Sequence, residues 1–133
     1  INTIGPALIA HHLLPLLPRG RRAVFAALSA RVGSIGDNRL GGWHSYRASK
    51  AALNMLIRNF AIELARTHPH AVVAGLHPGT VETALSAPFS RSVAQAQLVA
   101  PDAAADNLLR VIDRLGPGDS GSVFDWQGVR VPD

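Results

Sequence analysis

The sequence predicts an α/β fold, in which a doubly wound parallel sheet lies between two layers of helices, a three-layer α/β/α arrangement. Short, almost uninterrupted apolar runs are typical of strands buried on both faces of a parallel sheet. Longer segments with apolar residues at helical spacing separate these runs. The predicted elements, in chain order, are a helix over 3–17, a strand over 23–28, a helix over 44–67, a strand over 71–76, a helix over 101–115 and a strand over 122–126. Because helices and strands alternate, we expect right-handed crossovers and parallel strands.

The ends of the predicted helices carry residues that start or stop helices. Pro18-Arg19-Gly20 follows the first helix, and Pro69 follows the second. Pro101 and Asp102 open the third, where a fixed φ and a negative charge both suit the helix start. Gly116 follows its end. The segments left over, 29–43 and 84–100, are predicted as loops, the latter as loop or short helix.

The three predicted strands read AVFAAL, AVVAGL and SVFDW. Three strands make a poor sheet by themselves, and the first would present a long apolar edge, which stable proteins avoid. We therefore expect further strands upstream of residue 1, so that the chain is a piece of a longer protein.

Composition excludes several classes of function. The 133 residues fit one domain, and 47% of them are apolar, which is enough for a core. There is no cysteine, which rules out disulfides and thiolate metal sites and is compatible with a cytoplasmic protein. No apolar run approaches the roughly 20 residues of a membrane helix. The net charge is +4, yet only Arg19, Arg21 and Arg22 cluster and aromatics make up 5%, so we expect no nucleic-acid partner.

One pair of residues points to chemistry. Tyr46 is the only tyrosine of the chain and Lys50 is its only lysine. The other twelve of the 13 Lys and Arg residues are arginines. The two residues are four positions apart, which is about one helical turn, so both side chains are expected on one face of the second helix. A compact ammonium favours the phenolate of a nearby tyrosine. The pattern therefore predicts a phenol of lowered pKa that donates and accepts a proton.

The neighbours of this pair extend the pattern. A Ser- and Gly-rich loop precedes it, in RVGSIGDNRLGGWHSYRASKAALN over 31–54, and Pro78-Gly79 breaks the chain after the next strand. Together these features resemble the short-chain dehydrogenase/reductase family, and most of all its sniffer-like and C-factor-like carbonyl reductase branch. The resemblance implies a Rossmann-like fold, with residues 1–133 as the C-terminal half of a single domain whose N-terminal cofactor-fingerprint half is absent.

The same resemblance implies a reaction and a cofactor. The reaction is the NAD(P)-dependent interconversion of a carbonyl and an alcohol, with NADP slightly favoured. Tyr46 would be the general acid and base, Lys50 would lower its pKa and bind the nicotinamide ribose, and Asn2 would hold a water in a proton relay. On sequence alone, an asparagine near a helix start is more often a cap, so the relay role rests on the resemblance. The implied cofactor contacts are Tyr46, Lys50, Pro78, Gly79, Val81 and Thr83.

One position departs from the family pattern. The serine that polarises the substrate carbonyl is expected where this chain has Ala30. Ser34, twelve residues before Tyr46, is the replacement we favour, and Ser29 is the alternative. Turn capping explains either hydroxyl equally simply.

The remaining expectations concern partners. His11-His12 and His68/His70 lack acidic or cysteine neighbours at metal spacing, so no metal site is predicted. From the resemblance we expect a small carbonyl or alcohol substrate, a substrate lid over 84–100, and a homo-oligomer formed through the helices near 3–17 and 44–67. The alternative to an enzyme is a non-catalytic, cofactor-sensing or signalling protein on the same scaffold, or an inactive fragment.

Overall fold

The computed structural model describes residues 1–83 and 98–133. Its helices are α1 (Ile4–Leu13), α2 (His44–Ala65) and α3 (Pro101–Arg114), and its strands are β1 (Ala23–Leu28), β2 (Ala71–His77), β3 (Thr80–Val81), β4 (Leu98–Val99) and β5 (Val123–Asp125). Short 3₁₀ turns cover Leu14–Leu16, Arg31–Gly33 and Pro117–Asp119. The six predicted elements are all present, with ends displaced by a few residues at most. The predicted lid lies mostly outside the described residues.

The main sheet is parallel and has the strand order β1-β2-β5. Ala23 lies opposite Ala71 and Leu28 opposite Leu76, while Gly75 lies opposite Val123. A second, two-stranded parallel sheet pairs β3 with β4, which places Thr80 opposite Leu98. The loop or short helix predicted up to residue 100 is therefore wrong at 98–99, because a two-residue strand is too short to leave a periodic signal and depends on a distant partner.

Helices cover both faces of the main sheet, so the three-layer arrangement is confirmed. On one face α1 and α2 contribute to a core of small and branched side chains: Ala10, Leu14, Ala27, Leu53, Ile57, Ala61, Leu64, Ala71 and Val73. On the other face α3 packs in a second core: Val72, Ala74, Leu76, Val111, Leu115 and Phe124. The side chains of β2 alternate between these cores, as the two-residue period of a strand requires.

β2 is buried as predicted, and β1 has the exposed apolar edge that the sequence predicted for these three strands by themselves. Residues 71–76 are all buried, whereas Ala26 is exposed and Leu28 has 61% of its surface accessible. The cause is position in the sheet, since β2 has a neighbour on each side and β1 pairs with β2 alone among the described strands.

Arg22, one of the three clustered arginines, is exposed and also holds the end of α3. Its Nε donates to the Leu115 carbonyl at 2.8 Å, and its Nη2 donates to the Ile112 carbonyl. A cation at the C-terminus of a helix bonds carbonyls that have no partner within the helix. This contact fastens the end of α3 to the chain segment entering β1. No helix within 1–83 or 98–133 has the length and apolar character needed to span a membrane.

Candidate active site

The carboxyl ends of the parallel strands form the edge at which the candidate residues gather. In open α/β sheets, ligands bind outside this edge. Lys50, in the second turn of α2, donates its Nζ proton to the carbonyl of Leu28, the last residue of β1, at 2.8 Å. The start of α2, with Tyr46, is thereby placed at the carboxyl edge of the sheet.

Tyr46 and Lys50 lie on the same face of α2, as the spacing predicted. The Lys50 ammonium is 5.9 Å from the centroid of the Tyr46 ring, within the range of a cation–π contact. Lys50 is only 8% exposed, whereas Tyr46 is 44% exposed. The ammonium is thus held inside, and the phenol remains accessible to a reactant.

The predicted lowering of the Tyr46 pKa is not what this structure shows. Burial raises the pKa of the Tyr46 phenol above its ordinary value of 10.0. Burial also lowers the pKa of the Lys50 ammonium below 10.5. Both shifts have the same cause, because burial disfavours the charged form of either group. The lysine makes its hydrogen bond to the Leu28 carbonyl, and its charge does not overcome the desolvation of the phenol.

Close backbone packing fixes Lys50. Gly33, at the end of the Arg31–Gly33 turn, lies against α2 so tightly that a Cβ atom there would be 2.7 Å from the Lys50 carbonyl carbon and 2.8 Å from the Lys50 Cβ. Real Cβ atoms do not approach other atoms so closely. The loop after β1 therefore needs glycine at this point for α2 to sit where it does.

Asn2 contacts α2 beside the catalytic candidates. Its Nδ2 donates to the Ser49 Oγ at 3.3 Å, and the Ser49 hydroxyl donates to the Tyr46 carbonyl at 2.8 Å. The N-cap of α1 is Thr3, so Asn2 does not cap this helix as the alternative had it. The structure brings Asn2 next to the residue that precedes Lys50, and its part in a relay stays a prediction.

Ser34 and Ser29, the two serines considered as replacements for the family serine expected at Ala30, both make hydrogen bonds within the protein. The buried Ser34 hydroxyl accepts from the Asp37 backbone N–H at 3.0 Å and donates to the Asp133 carbonyl at 3.4 Å, which is the turn-capping arrangement. The buried Ser29 hydroxyl donates to Asn54 Oδ1 at 2.5 Å, two turns of α2 beyond Tyr46. Ala30 is buried between them. A catalytic role for Ser34 would require its hydroxyl to leave both of its bonds.

The segment after β2 turns at Pro78-Gly79 and packs on a residue that sequence reasoning missed. Gly79 has φ +80°, a left-handed conformation that favours glycine. A Cβ at Gly79 would be 3.1 Å from Cδ1 of Trp126. Val81 follows in β3, and Thr83 lies just beyond it. The predicted cofactor segment is therefore at the same edge of the sheet as Lys50.

Trp126 is placed by a turn that the carboxylate of Asp125 organises. Asp125 ends β5 opposite His77, and its Oδ1 accepts from the backbone N–H groups of Gln127 and Val129 at 3.0 and 2.9 Å. Burial lowers the pKa of His77, while the negative charge of Asp125 opposes that shift. The position of Trp126 directly after a strand was the signal that could have identified it, since residues following parallel strands converge at one edge.

Comparison with known proteins assigns the family. A family model described as short chain dehydrogenase matches residues 1–94. The C-signal protein of Myxococcus xanthus is 41% identical over 133 residues, which cover 99% of this chain and 74% of that protein. The chain belongs to the short-chain dehydrogenase family.

Other members of the short-chain dehydrogenase family support the predicted branch. The 1-hydroxy-2-glutathionyl-2-methyl-3-butene dehydrogenase of Rhodococcus sp. (strain AD45) is 40% identical over 91% of this chain and 50% of its own length. The NADPH-bound carbonyl reductase from chicken fatty liver superposes with a TM-score of 0.83 at 32% identity, and carbonyl reductase Sniffer of D. melanogaster with a TM-score of 0.83 at 25% identity. Each superposition covers 99% of this chain and 54% of the reductase, so the chain spans about half the length of these solved relatives.

Within 1–83 and 98–133, no three His, Asp or Glu side chains are grouped so that they could hold a metal ion.

Replacing Gly33 with alanine tests the contact that fixes Lys50. The added Cβ must displace either α2 or the Arg31–Gly33 turn, and we expect a loss of about 1–3 kcal/mol in the free energy of unfolding. Gly20→Ala is the matched control, since a Cβ at Gly20 meets nothing within 4 Å, and its effect should stay within about 0.5 kcal/mol. Urea unfolding measures both, and equal effects would contradict the packing argument.

The ionisation of Tyr46 is directly measurable. Because burial disfavours the phenolate, we expect the phenol to titrate above pH 10.0 in the folded protein. The difference in phenolate absorbance between the wild type and Tyr46→Phe isolates this group across a pH titration. The same difference in urea should return to the ordinary value, and a folded-state midpoint below 10.0 would instead restore the lowered pKa predicted from the sequence.

Proposed function

We propose that the protein carrying this chain is an NAD(P)-dependent oxidoreductase that interconverts a carbonyl and an alcohol. One observation carries the proposal: Tyr46 is half-exposed at the carboxyl edge of the sheet, and the buried Lys50 ammonium lies over its ring. The phenol can therefore meet a substrate oxygen while the ammonium remains shielded from water. Family membership supports the same reaction class.

The residues at this edge suit a nicotinamide dinucleotide. Gly79 forms a left-handed turn that packs against the Trp126 indole, and Lys50 places a cation at the same edge of the sheet. We assign the ribose to Lys50 and Tyr46, the carboxamide to Pro78, Gly79 and Val81, and a phosphate to Thr83. When bound, the cofactor supplies or accepts the hydride at the carbonyl carbon. NADP is favoured because solved relatives hold NADPH or NADP.

Tyr46 moves the proton in this proposal. A pKa raised by burial keeps the phenol protonated at neutral pH, which suits donation to a carbonyl oxygen during reduction. The reverse reaction needs the phenolate, and lowering a pKa from about 10 to 7 requires roughly 4 kcal/mol. Asn2, next to Ser49 on α2, would hold a water that passes a proton between Lys50 and solvent. The protonated state of Tyr46 therefore suits the reduction of a carbonyl.

We further propose that the chain forms the C-terminal half of one Rossmann-like domain and that copies associate through α1 and α2. The exposed edge of β1 and the coverage of about half of the solved relatives support the first part. Large apolar side chains exposed on the two helices support the second: Ile4, Leu8, Ile9 and Leu13 on α1, and Met55 and Ile62 on α2.

A second candidate is a non-catalytic signalling protein on the same scaffold. Two observations favour it: Ala30 removes the hydroxyl expected to polarise a carbonyl, and a relative 41% identical is named C-signal. In this case cofactor binding would persist without turnover.

The substitution Tyr46→Phe separates the two candidates. It keeps the ring beside the ammonium and removes only the hydroxyl, so an enzyme should lose about 10²- to 10⁴-fold in turnover. NADPH should still bind, because Lys50 and the segment 78–83 keep their assigned contacts and only one hydroxyl contact to the ribose is lost. The assay is NADPH oxidation with 4-nitrobenzaldehyde as the test carbonyl, with NADPH binding measured separately. Retained turnover would exclude Tyr46 as the acid, and a wild type that binds NADPH without turnover of any carbonyl tested would favour the signalling protein.

Ala30→Ser tests whether the family serine is missing from a working site. A hydroxyl at this buried position should donate to the developing oxyanion, and donors of this kind are worth about 10²- to 10³-fold in mature sites. Since the added group is not optimised, we expect kcat/KM to rise about tenfold. Ala30→Cys, of similar size but a weak donor, is the control. Equal rates for the two variants would mean that position 30 does not reach the carbonyl.

A further inference from the structure

A single guanidinium group closes the loop between β1 and α2. Arg47 lies between Tyr46 and Lys50 in sequence, and its Nε is 3.1 Å from both the Gly41 and the Gly42 carbonyl oxygens. Its Nη1 donates to the Val32 carbonyl at 3.2 Å. Val32 is at the start of the loop and the two glycines are near its end, so Arg47 joins the two limbs of the loop.

The backbone that enters α2 depends on such support. Gly41, Gly42 and Trp43 have φ of +63°, +69° and +46° in succession. Tryptophan rarely adopts a left-handed conformation, and a residue held in one persists only where its surroundings impose it. The Arg47 Cζ is 5.7 Å from the centroid of the Trp43 ring, so the guanidinium contacts the indole as well as the backbone before it.

Trp43 is thereby placed next to the candidate site. It is the N-cap of α2, three residues before Tyr46, and its side chain is 55% exposed while that of Tyr46 is 44% exposed. We propose that Arg47 is a positioning residue that holds the 41–43 backbone and with it the Trp43 indole as a wall of the substrate entrance. The substrate part of this proposal rests on the proposed function, whereas the holding of Trp43 does not.

The chemistry of the side chain explains why arginine occupies position 47. The hydrogen bonds of Arg47 point in different directions: its Nε faces the Gly41 and Gly42 carbonyls, and its Nη1 faces the Val32 carbonyl. A planar fork of five donors can make them together, whereas an ammonium is a single point of charge on a flexible stem. Lys50, three residues after Arg47, makes a single side-chain hydrogen bond, to the Leu28 carbonyl, and this suits a compact cation.

The test uses the full-length protein labelled with 5-fluorotryptophan, with the Trp43 signal in the ¹⁹F NMR spectrum assigned by Trp43→Phe. We expect Arg47→Met and Arg47→Lys to shift and sharpen the Trp43 signal and to leave that of Trp126 in place. With NADPH and 4-nitrobenzaldehyde, KM for the aldehyde should rise about five- to tenfold, with kcat within about twofold and NADPH affinity unchanged. Arg66→Met, an exposed arginine at the far end of α2, should reproduce none of these effects.

Each outcome decides the proposal. An unchanged Trp43 signal in Arg47→Met overturns it, as does a fall in kcat at constant KM. If Arg47→Met shifts all tryptophan signals and so disturbs the fold, Arg47→Lys decides, because it keeps the charge and the helix propensity while losing the fork. If the wild type shows no turnover, the proposed function is contradicted. The Trp43 signal would still decide whether Arg47 holds the loop.

Discussion

The hydrogen bond from the Lys50 ammonium to the Leu28 carbonyl joins the two elements on which the candidate site depends. A lysine that is 8% exposed needs a partner for its charge, and the last carbonyl of β1 provides one at 2.8 Å. This bond holds the start of α2 at the carboxyl edge of the sheet, and the absence of a side chain on Gly33 lets the intervening turn lie flat against the helix. The accessibility of Tyr46 follows from both, since the helix presents its first turns at the edge rather than over the face of the sheet.

The basic character of the chain has a structural explanation. Arg22 bonds the carbonyls at the end of α3, Arg47 bonds three loop carbonyls, and Arg31 pairs with Asp37 at 2.6 Å and lies 3.7 Å from Asp125. Each guanidinium joins segments that are distant in sequence or otherwise lack regular hydrogen bonds. Arginine suits this use because its donors point in several directions at once. Three of the twelve arginines therefore have structural roles within the chain.

The electrostatics of the site suit the proton donation that the proposed reduction of a carbonyl requires. Burial raises the pKa of Tyr46 and lowers that of Lys50, so the neutral phenol is the stable form and a ready proton donor. The solved relatives named as carbonyl reductases would run in that direction. In the proposed reaction Ala30 would leave the substrate oxygen without the hydroxyl expected from the family, and Ser29 and Ser34 both make hydrogen bonds within the protein. Tyr46 would then carry most of the stabilisation of the developing oxyanion.

The order of helices and strands, the parallel sheet and the Tyr46/Lys50 pair could all be predicted from the sequence, because apolar periodicity and a spacing of one helical turn are local properties. The short pairing of Thr80 with Leu98 and the packing of Gly79 on Trp126 could not, since each depends on residues far away in the chain. The direction of the Tyr46 pKa shift was also decided by the tertiary structure. The sequence shows that a cation lies near a phenol, but only the fold determines how far each group is removed from water. Burial of the Tyr46 phenol is the effect that sets the direction of its pKa shift.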